Sequence, residues 1–237
     1  METRIIINNT TFPVVYKPHS GAKRVKLRFD PLKASIKVTL PPGYSLKKIK
    51  QFIEESRPWL THQVQTRWRQ IEFKDGLDVP LFGRTIKLTH VPSKRCHIWY
   101  DQETLILYAP HDKVVSYFTR WLKKQALAFF EKQTAMYAEK LGIDANTTIL
   151  VKETRRQWGS CSTNGRISYC WRLIFAPLSV AQYVCAHEVS HLLEMNHSPR
   201  FWKLVESICP DYETQKKWLK SHGETVFHYG TGSKLVA

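Results

Sequence analysis

The sequence predicts an α+β protein built in two parts. Three observations carry this. Apolar and polar residues alternate through much of residues 1–110, which is the pattern of half-buried strands. Residues 113–141 and three segments between 179 and 221 read as helices, bounded by capping and breaking residues. An Asn164-Gly165 pair lies between these helical stretches and marks a tight hairpin. The expected organisation is a β-rich region with one helix over 1–110 and an α+β region over 111–237.

The elements follow in order. Val25, Leu27 and Phe29 alternate with Lys and Arg, as Ile36, Val38 and Leu40 do with Lys37 and Thr39. These are two strands joined by a turn at Asp30-Pro31, and Pro41-Pro42-Gly43 ends the second. Ser45 is placed to cap a helix that breaks near Pro58. Strand signals recur in 79–91, 96–101 and 104–110. A long helix then carries Val115, Phe118, Leu122, Leu127 and Phe130 and ends at Gly142. Residues 148–153 and 166–177 read as strands. Ser179 starts a helix that runs to Met195 and stops at Asn196. Ser198-Pro199 fits N-cap and first position of the next helix, Cys209-Pro210 stops it, and Asp211 caps another. Residues from Gly223 onward read as a loose tail. No internal repeat is legible.

Composition narrows the class. The 237 residues are 43% hydrophobic and 24% charged, which excludes a disordered or collagen-like chain. Lys and Arg number 36 against 20 Asp and Glu, a net charge of +16. That suits an anionic partner such as nucleic acid, a phosphorylated small molecule or a membrane surface. The excess sits near the N-terminus, where residues 1–50 carry 11 basic and 2 acidic side chains. Five cysteines, at 96, 161, 170, 185 and 209, form no C-x-x-C pair. With no secretory signal and no apolar run near ~18 residues, they read as free thiols of a cytoplasmic, non-membrane protein.

The chemistry concentrates at His187-Glu188-Val189-Ser190-His191. Two histidines four residues apart on a helix share one face and can hold one Zn²⁺. Glu188 sits beside that metal and can take and return a proton. Val180 and Val184 make the rest of that face apolar. A third ligand is required, and His197 is the first choice, six residues beyond His191. The spacing matches three-histidine zincins in length, with Glu194 where metzincins place a glycine. Glu206 or Glu213, on a following helix, is the rival third ligand.

A resemblance rests on these residues and their neighbours. Trp158-Gly159-Ser160-Cys161, Trp171-Arg172-Leu173, Ala176-Pro177, Tyr183-Val184, the His-Glu-x-x-His run and Asn196-His197-Ser198-Pro199-Arg200-Phe201-Trp202 resemble the YgjP-like metallopeptidase family. Arg24-Val25-Lys26-Leu27-Arg28, Pro41-Pro42-Gly43, Phe52 and Trp59 agree with it. The resemblance implies a zincin domain behind a β-rich N-terminal part, related to SprT-like proteases. It implies His187, His191 and His197 as zinc ligands and Glu188 as base. This chain departs from the pattern at Gln157, usually Arg, and at Cys170, usually Asn.

Other residues are weighed with these. Zincins generally edge their cleft with the strand before the metal helix, here 166–175, where a peptide can add as a further strand. Tyr212, His222, His228, Tyr229 and Arg172 are the candidate contacts to substrate or to the developing oxyanion. Ser160 and Cys161 read as packing residues, since nothing supplies a triad. The expected function is zinc-dependent hydrolysis of a protein or peptide. Two alternatives are a metal-dependent hydrolase of a phosphoanhydride such as a nucleoside triphosphate, and a nucleic-acid-associated protein with a structural zinc. The basic N-terminal region is where nucleic acid is expected to dock.

Overall fold

β1 (Thr3–Ile7) and β2 (Thr10–Pro18) open the chain as an antiparallel hairpin, outside the strands expected from sequence. The computed structural model describes residues 3–31, 33–67, 71–101, 103–144, 147–155 and 157–230. The hairpin loop is Asn8-Asn9, with φ of 49° and 60°. Two positive φ values in a two-residue loop suit the twist of the flanking strands, and asparagine tolerates them. β3 (Lys26–Asp30) and β4 (Ser35–Leu40) are the expected antiparallel pair. β4 also runs parallel to β2, giving the order β1-β2-β4-β3.

The inner face of this sheet closes on two helices. Phe12, Phe29, Ile36 and Val38 pack with Ile49 and Ile53 of α1 (Leu46–Glu55) and Leu60 and Val64 of α2 (Arg57–Arg67). The helix breaks at Ser56, and Pro58 occupies the first turn of α2, where a missing N–H is tolerated. Ser45 stands at the N-cap of α1 but its side chain makes no capping bond. Arg57 fastens the helices to β1, donating to the Glu54 carboxylate and, at 2.8 Å, to the Ile6 carbonyl. Lys17, Lys26 and Arg28 are exposed at positions alternating with this core. Arg28 faces Lys37 across the ladder, and Asp30 pairs with Lys37 at 2.6 Å.

The same plan then returns. β5 (Leu77–Leu81) and β6 (Arg84–Pro92) form a hairpin on Phe82-Gly83, again with two positive φ values, 48° and 81°. β7 (His97–Tyr100) and β8 (Thr104–Ala109) follow, β8 runs parallel to β6, and the order is β5-β6-β8-β7. Both second strands close on a proline, Pro18 and Pro92, and both fourth strands run into one, Pro41 and Pro110. Buried Ile5, Ile7, Phe12 and Val14 correspond to Val79, Leu81, Ile86 and Leu88. The chain therefore does contain a repeat, carried by strand lengths and burial rather than by residue identity.

The compact units are residues 1–70 and 71–237, so the boundary falls forty residues before the one expected. The reason is packing of the second sheet on the C-terminal elements. The Phe82 amide donates to the Ile174 carbonyl at 2.6 Å, and its ring stacks on Phe129 at 3.8 Å. Phe129 belongs to α3 (Val114–Lys140), the expected long helix.

α3 packs beneath a three-stranded sheet of order β10-β11-β9, made by β9 (Ile149–Lys152), β10 (Gly159–Cys161) and β11 (Ile167–Cys170). Thr134 and Tyr169 hydroxyls hydrogen-bond at 2.9 Å inside this layer. The expected strand over 166–177 ends at Cys170, and Trp171–Phe175 is a 3₁₀ turn. β11 is buried and central, and β10 and β9 are the edge strands. α4 (Leu178–Ser190) stops five residues before the expected end, its last amides turning back through Leu192 N–H to Val189 and Glu194 N–H to Ser190. α5 (Pro199–Ile208) starts as expected, with Ser198 Oγ accepting the Phe201 amide. α6 (Tyr212–His222) starts after Asp211, whose side chain makes no capping bond. The expected tail is ordered as far as residue 230, since Val226 and Phe227 are buried and Ile71 bridges Tyr229. Residues 231–237 lie outside the described residues. Among the described residues no helix is long and apolar enough to cross a membrane, and all five cysteines are free thiols.

Candidate metal centre and active site

α4 delivers His187 and His191 from one face, and the chain must turn back to bring a third ligand. Helix termination at Ser190 allows it, because Leu192–Asn196 form the turn that places His197 beside them. The ring centroids of the three histidines lie 4.8, 4.9 and 5.0 Å apart. One ligand nitrogen from each falls within 4.8 Å of the others. Glu206 and Glu213 are exposed and belong to no such cluster among the described residues.

The ring nitrogens are prepared for a cation. His191 donates Nδ1–H to the Glu194 carbonyl at 3.0 Å, so its Nε2 lone pair is free. His187 and His197 point Nε2 at each other at 3.1 Å. Two nitrogens bound to one tetrahedral zinc at about 2.0–2.1 Å stand about 3.4 Å apart. That pair is therefore close to ligand spacing. Nδ1 of His187 is buried without a hydrogen-bond partner. Burial pushes His187 down to about 3, and His191, His197 and Lys216 act in the same direction, so it presents neutral nitrogen. Burial also lowers His191, against the pull of its Glu194 bond. Three imidazoles are a donor set that fits a zinc-type cation.

Phe201 is the residue that sequence reasoning passed over. It is fully buried, stacks on His191 at 4.4 Å and meets His187 and His197 edge-on at 4.9 and 4.8 Å. The Ser198 cap fixes it one turn into α5. Trp202 adds a second ring beside His187 and His197, with Lys216 Nζ 3.8 Å from its centroid.

Glu188 is only 4% exposed, and burial pushes its carboxyl up to about 8. β10 passes directly over it. A Cβ at Gly159 would lie 2.5 Å from Glu188 Oε1 and 2.7 Å from its Cγ. Glycine lets the strand and the carboxylate share this space, and any side chain here would force Glu188 to shift. Two cavities, of about 220 and 250 Å³, flank the pair, and both are lined by Gly159, His187 and Glu188.

The remaining candidates separate. Arg172 is 7% exposed, donates to Glu153 at 2.7 Å and to the Tyr229 carbonyl at 2.6 Å, and lines neither cavity. Its bonds fasten parts of the fold to one another, and the structure places it outside both cavities rather than among the residues that line them. Tyr212 reaches the centre through rings, 5.3 Å from Trp202 and 6.4 Å from Tyr183. His222 instead bonds Ser221 at 2.8 Å and stacks on Trp218, and lines neither cavity. His228 and Tyr229 supply carbonyls to Ile71 and Arg172. Ser160 is held by Ser168 at 2.8 Å. Burial, with Glu188 adding to it, pushes the Cys161 thiol up to about 11, which makes it a poor nucleophile. Gln157 lines the smaller cavity and accepts from Thr154, while Cys170 donates to the Thr154 carbonyl.

A histidine cluster that could hold a metal ion, beside a buried carboxylate in an α+β fold, is an arrangement found in metallopeptidases. The comparison by sequence agrees: the model of the YgjP-like metallopeptidase domain matches residues 23–222, and the chain belongs to that family. Among solved structures, the metallopeptidase zymogen abylysin of Pyrococcus abyssi is similar at 18% identity and a TM-score of 0.37, over 40% of this chain and 95% of its own. Jannalysin of Methanocaldococcus jannaschii, also a metallopeptidase zymogen, is similar at 15% identity and 0.33, over 37% and 93%. No curated protein matches the chain.

Proposed function

We propose that this protein is a zinc-dependent peptidase in which His187, His191 and His197 hold the metal and Glu188 carries the proton. The observation behind this is the meeting of three imidazoles from two elements beside a 4%-exposed carboxylate. Zinc, when bound there, supplies a Lewis acid that polarises the scissile carbonyl and lowers the pKa of water to about 7. Ionised Glu188, favoured by the charge of a bound cation against the burial that raises its carboxyl in the metal-free protein, takes the proton of the attacking water and returns it to the leaving amine nitrogen. Among the described residues β10 pairs with β11 on one side only, so its other edge offers main-chain groups that orient an extended peptide. Gly159 keeps that edge flush with Glu188. Tyr212, whose ring lies 5.3 Å from Trp202 and 6.4 Å from Tyr183, is the donor this reading proposes for the oxyanion.

The test compares zinc content and hydrolysis of an unstructured protein for wild type, Glu188→Gln and His197→Ala. Glu188→Gln keeps zinc and loses about 10²–10⁴ in turnover, the range of general acid–base catalysis. His197→Ala loses stoichiometric zinc. Undiminished turnover in Glu188→Gln overturns the mechanism. Full zinc occupancy in His197→Ala overturns the ligand set.

A second reading concerns residues 1–70 alone. Lys17, Lys26, Arg28 and Lys37 share the outer sheet face, which supports docking of an anionic polymer such as nucleic acid. The expected result is retention of duplex DNA at low salt, weakening steeply as salt rises, and loss of that retention in Lys26→Glu/Arg28→Glu.

A further inference from the structure

Resting on the peptidase reading, we infer that the smaller cavity beside Glu188 receives one apolar substrate side chain adjacent to the scissile bond, and that Trp158 and Leu219 set its size. Trp158, Tyr183, Val184 and Leu219 line the cavity, together with Gln157, Gly159, His187 and Glu188. A side chain seated there therefore belongs to a residue next to the bond that Glu188 serves. The volume, about 220 Å³, equals roughly seven waters at about 30 Å³ each. It falls below the roughly 300–1,000 Å³ of clefts for drug-sized ligands. That is room for one side chain of leucine-to-phenylalanine size. Four of the eight lining residues, Trp158, Tyr183, Val184 and Leu219, offer apolar or aromatic surface and none but His187 is basic, so the favoured occupant is uncharged.

Trp158 is held against that cavity from behind. Its ring lies 5.6 Å from Phe227, and a Cβ at Gly223 would meet its Cζ2 at 2.5 Å. The segment that carries Gly223 and Phe227 is itself tied down. The Ile71 amide donates to the His228 carbonyl and the Gly230 amide to the Ile71 carbonyl, both at 2.8 Å. Arg172 links the Tyr229 carbonyl at 2.6 Å to the Glu153 carboxylate at 2.7 Å. The indole thus has a backstop that fixes one wall of the cavity. Leu219, from α6, faces a different constraint: it is half-buried and can change size at little cost to the core. Trp158 is the fixed gauge and Leu219 the adjustable one.

The experiment uses the full chain loaded with zinc and a set of peptides of one parent sequence. The residue on each side of the cleaved bond is varied among Gly, Ala, Leu, Phe, Lys and Asp, and kcat/KM is measured. At one flanking position Leu or Phe is expected to exceed Gly by at least about tenfold, since even one methylene in an apolar pocket is worth roughly 10–200-fold. Leu219→Phe shifts the optimum toward Ala, and Leu219→Ala shifts it toward Phe. Gly223→Ala, which drives Trp158 forward, acts like Leu219→Phe. Equal rates for all side chains, a preference for Lys, or an optimum unmoved by both Leu219 variants overturns the inference while leaving the peptidase reading intact.

A binding measurement separates the two further. N-acetyl-leucinamide is titrated into the chain with ¹⁵N-labelled indoles, the Trp158 signal being assigned with Trp158→Phe. That signal moves with the leucine probe and not with N-acetyl-glycinamide. If no peptide is cleaved but the signal moves, the peptidase reading fails and the pocket stands. If the signal is still, the pocket fails.

Discussion

Gly159 and Glu188 occupy adjoining space so closely that a methyl group on the first would overlap the carboxylate of the second, at 2.5 Å from Oε1. Gly159 is not among the positive-φ residues, so alanine is free of backbone strain there. Its effect must come through Glu188. Gly159→Ala is expected to lower kcat by about 10²-fold, at the lower end of acid–base catalysis, with zinc content unchanged. Calorimetry and metal analysis beside the kinetics check this, and full activity in the variant contradicts it.

Phe201 is the floor of the histidine cluster and 0% exposed. Phe201→Ala is expected to cost about 3–5 kcal/mol, the usual range for emptying such a site, and to weaken zinc affinity. Phe201→Leu keeps more volume and should lose less stability, yet it removes the stacking partner of His191. Urea unfolding and competition with a zinc chelator measure the two effects separately.

Arg172 and Glu153 form an ion pair whose arginine side chain is 9% exposed and whose glutamate is 39% exposed. Glu153→Ala leaves a buried guanidinium with the Tyr229 carbonyl and the Trp171 and Phe227 rings beside it, and takes away the acceptor of the Trp171 indole N–H. After discounting for the exposed half, the expected loss is about 2–3 kcal/mol, read as a lower urea midpoint with an unchanged slope. Arg172→Met, which removes the charge as well, should lose less than Glu153→Ala.

The metal-free protein should show a two-sided pH dependence of stability. Folded Glu188 keeps its proton up to about 8, whereas an ordinary glutamate releases it near 4.5. Between those values the folded state binds more protons, so stability falls as pH rises. Folded His187 stays neutral down to about 3 against an ordinary 6.5. Between those values the unfolded state binds more protons, so stability falls as pH drops. Unfolding of chelator-treated protein from pH 4 to 9 tests both. Glu188→Gln should flatten the upper slope and leave the lower one.

Much of this architecture is readable from residues, for reasons that can be named. Phe29, Ile36 and Val38 alternate strictly because one sheet face is buried, and the long helix has room to show its period. Ser198-Pro199 announces α5 because cap and first-turn proline act locally. The hairpin at Asn8-Asn9 was hidden by the unbroken run Ile5-Ile6-Ile7, which mixes buried and exposed isoleucines. The end of α4 was obscured because Leu192, Leu193 and Met195 continue an apolar run past the point where the chain turns to bring His197 round. Gly159 gave no local sign of its role, since the contact it permits is with a residue 29 positions away.

The doubled sheet has a consequence for how the chain comes to fold. Each copy joins its second and fourth strands in parallel, a closure that must wait for two hairpins to form. Residues 1–70 contain all the strands of the first copy and its two helices, so synthesis releases a complete folding unit before the second begins. The second copy closes while α4 and α5 are still to come, and Phe82 then waits for Ile174. The histidine cluster is thus assembled last, on foundations already set.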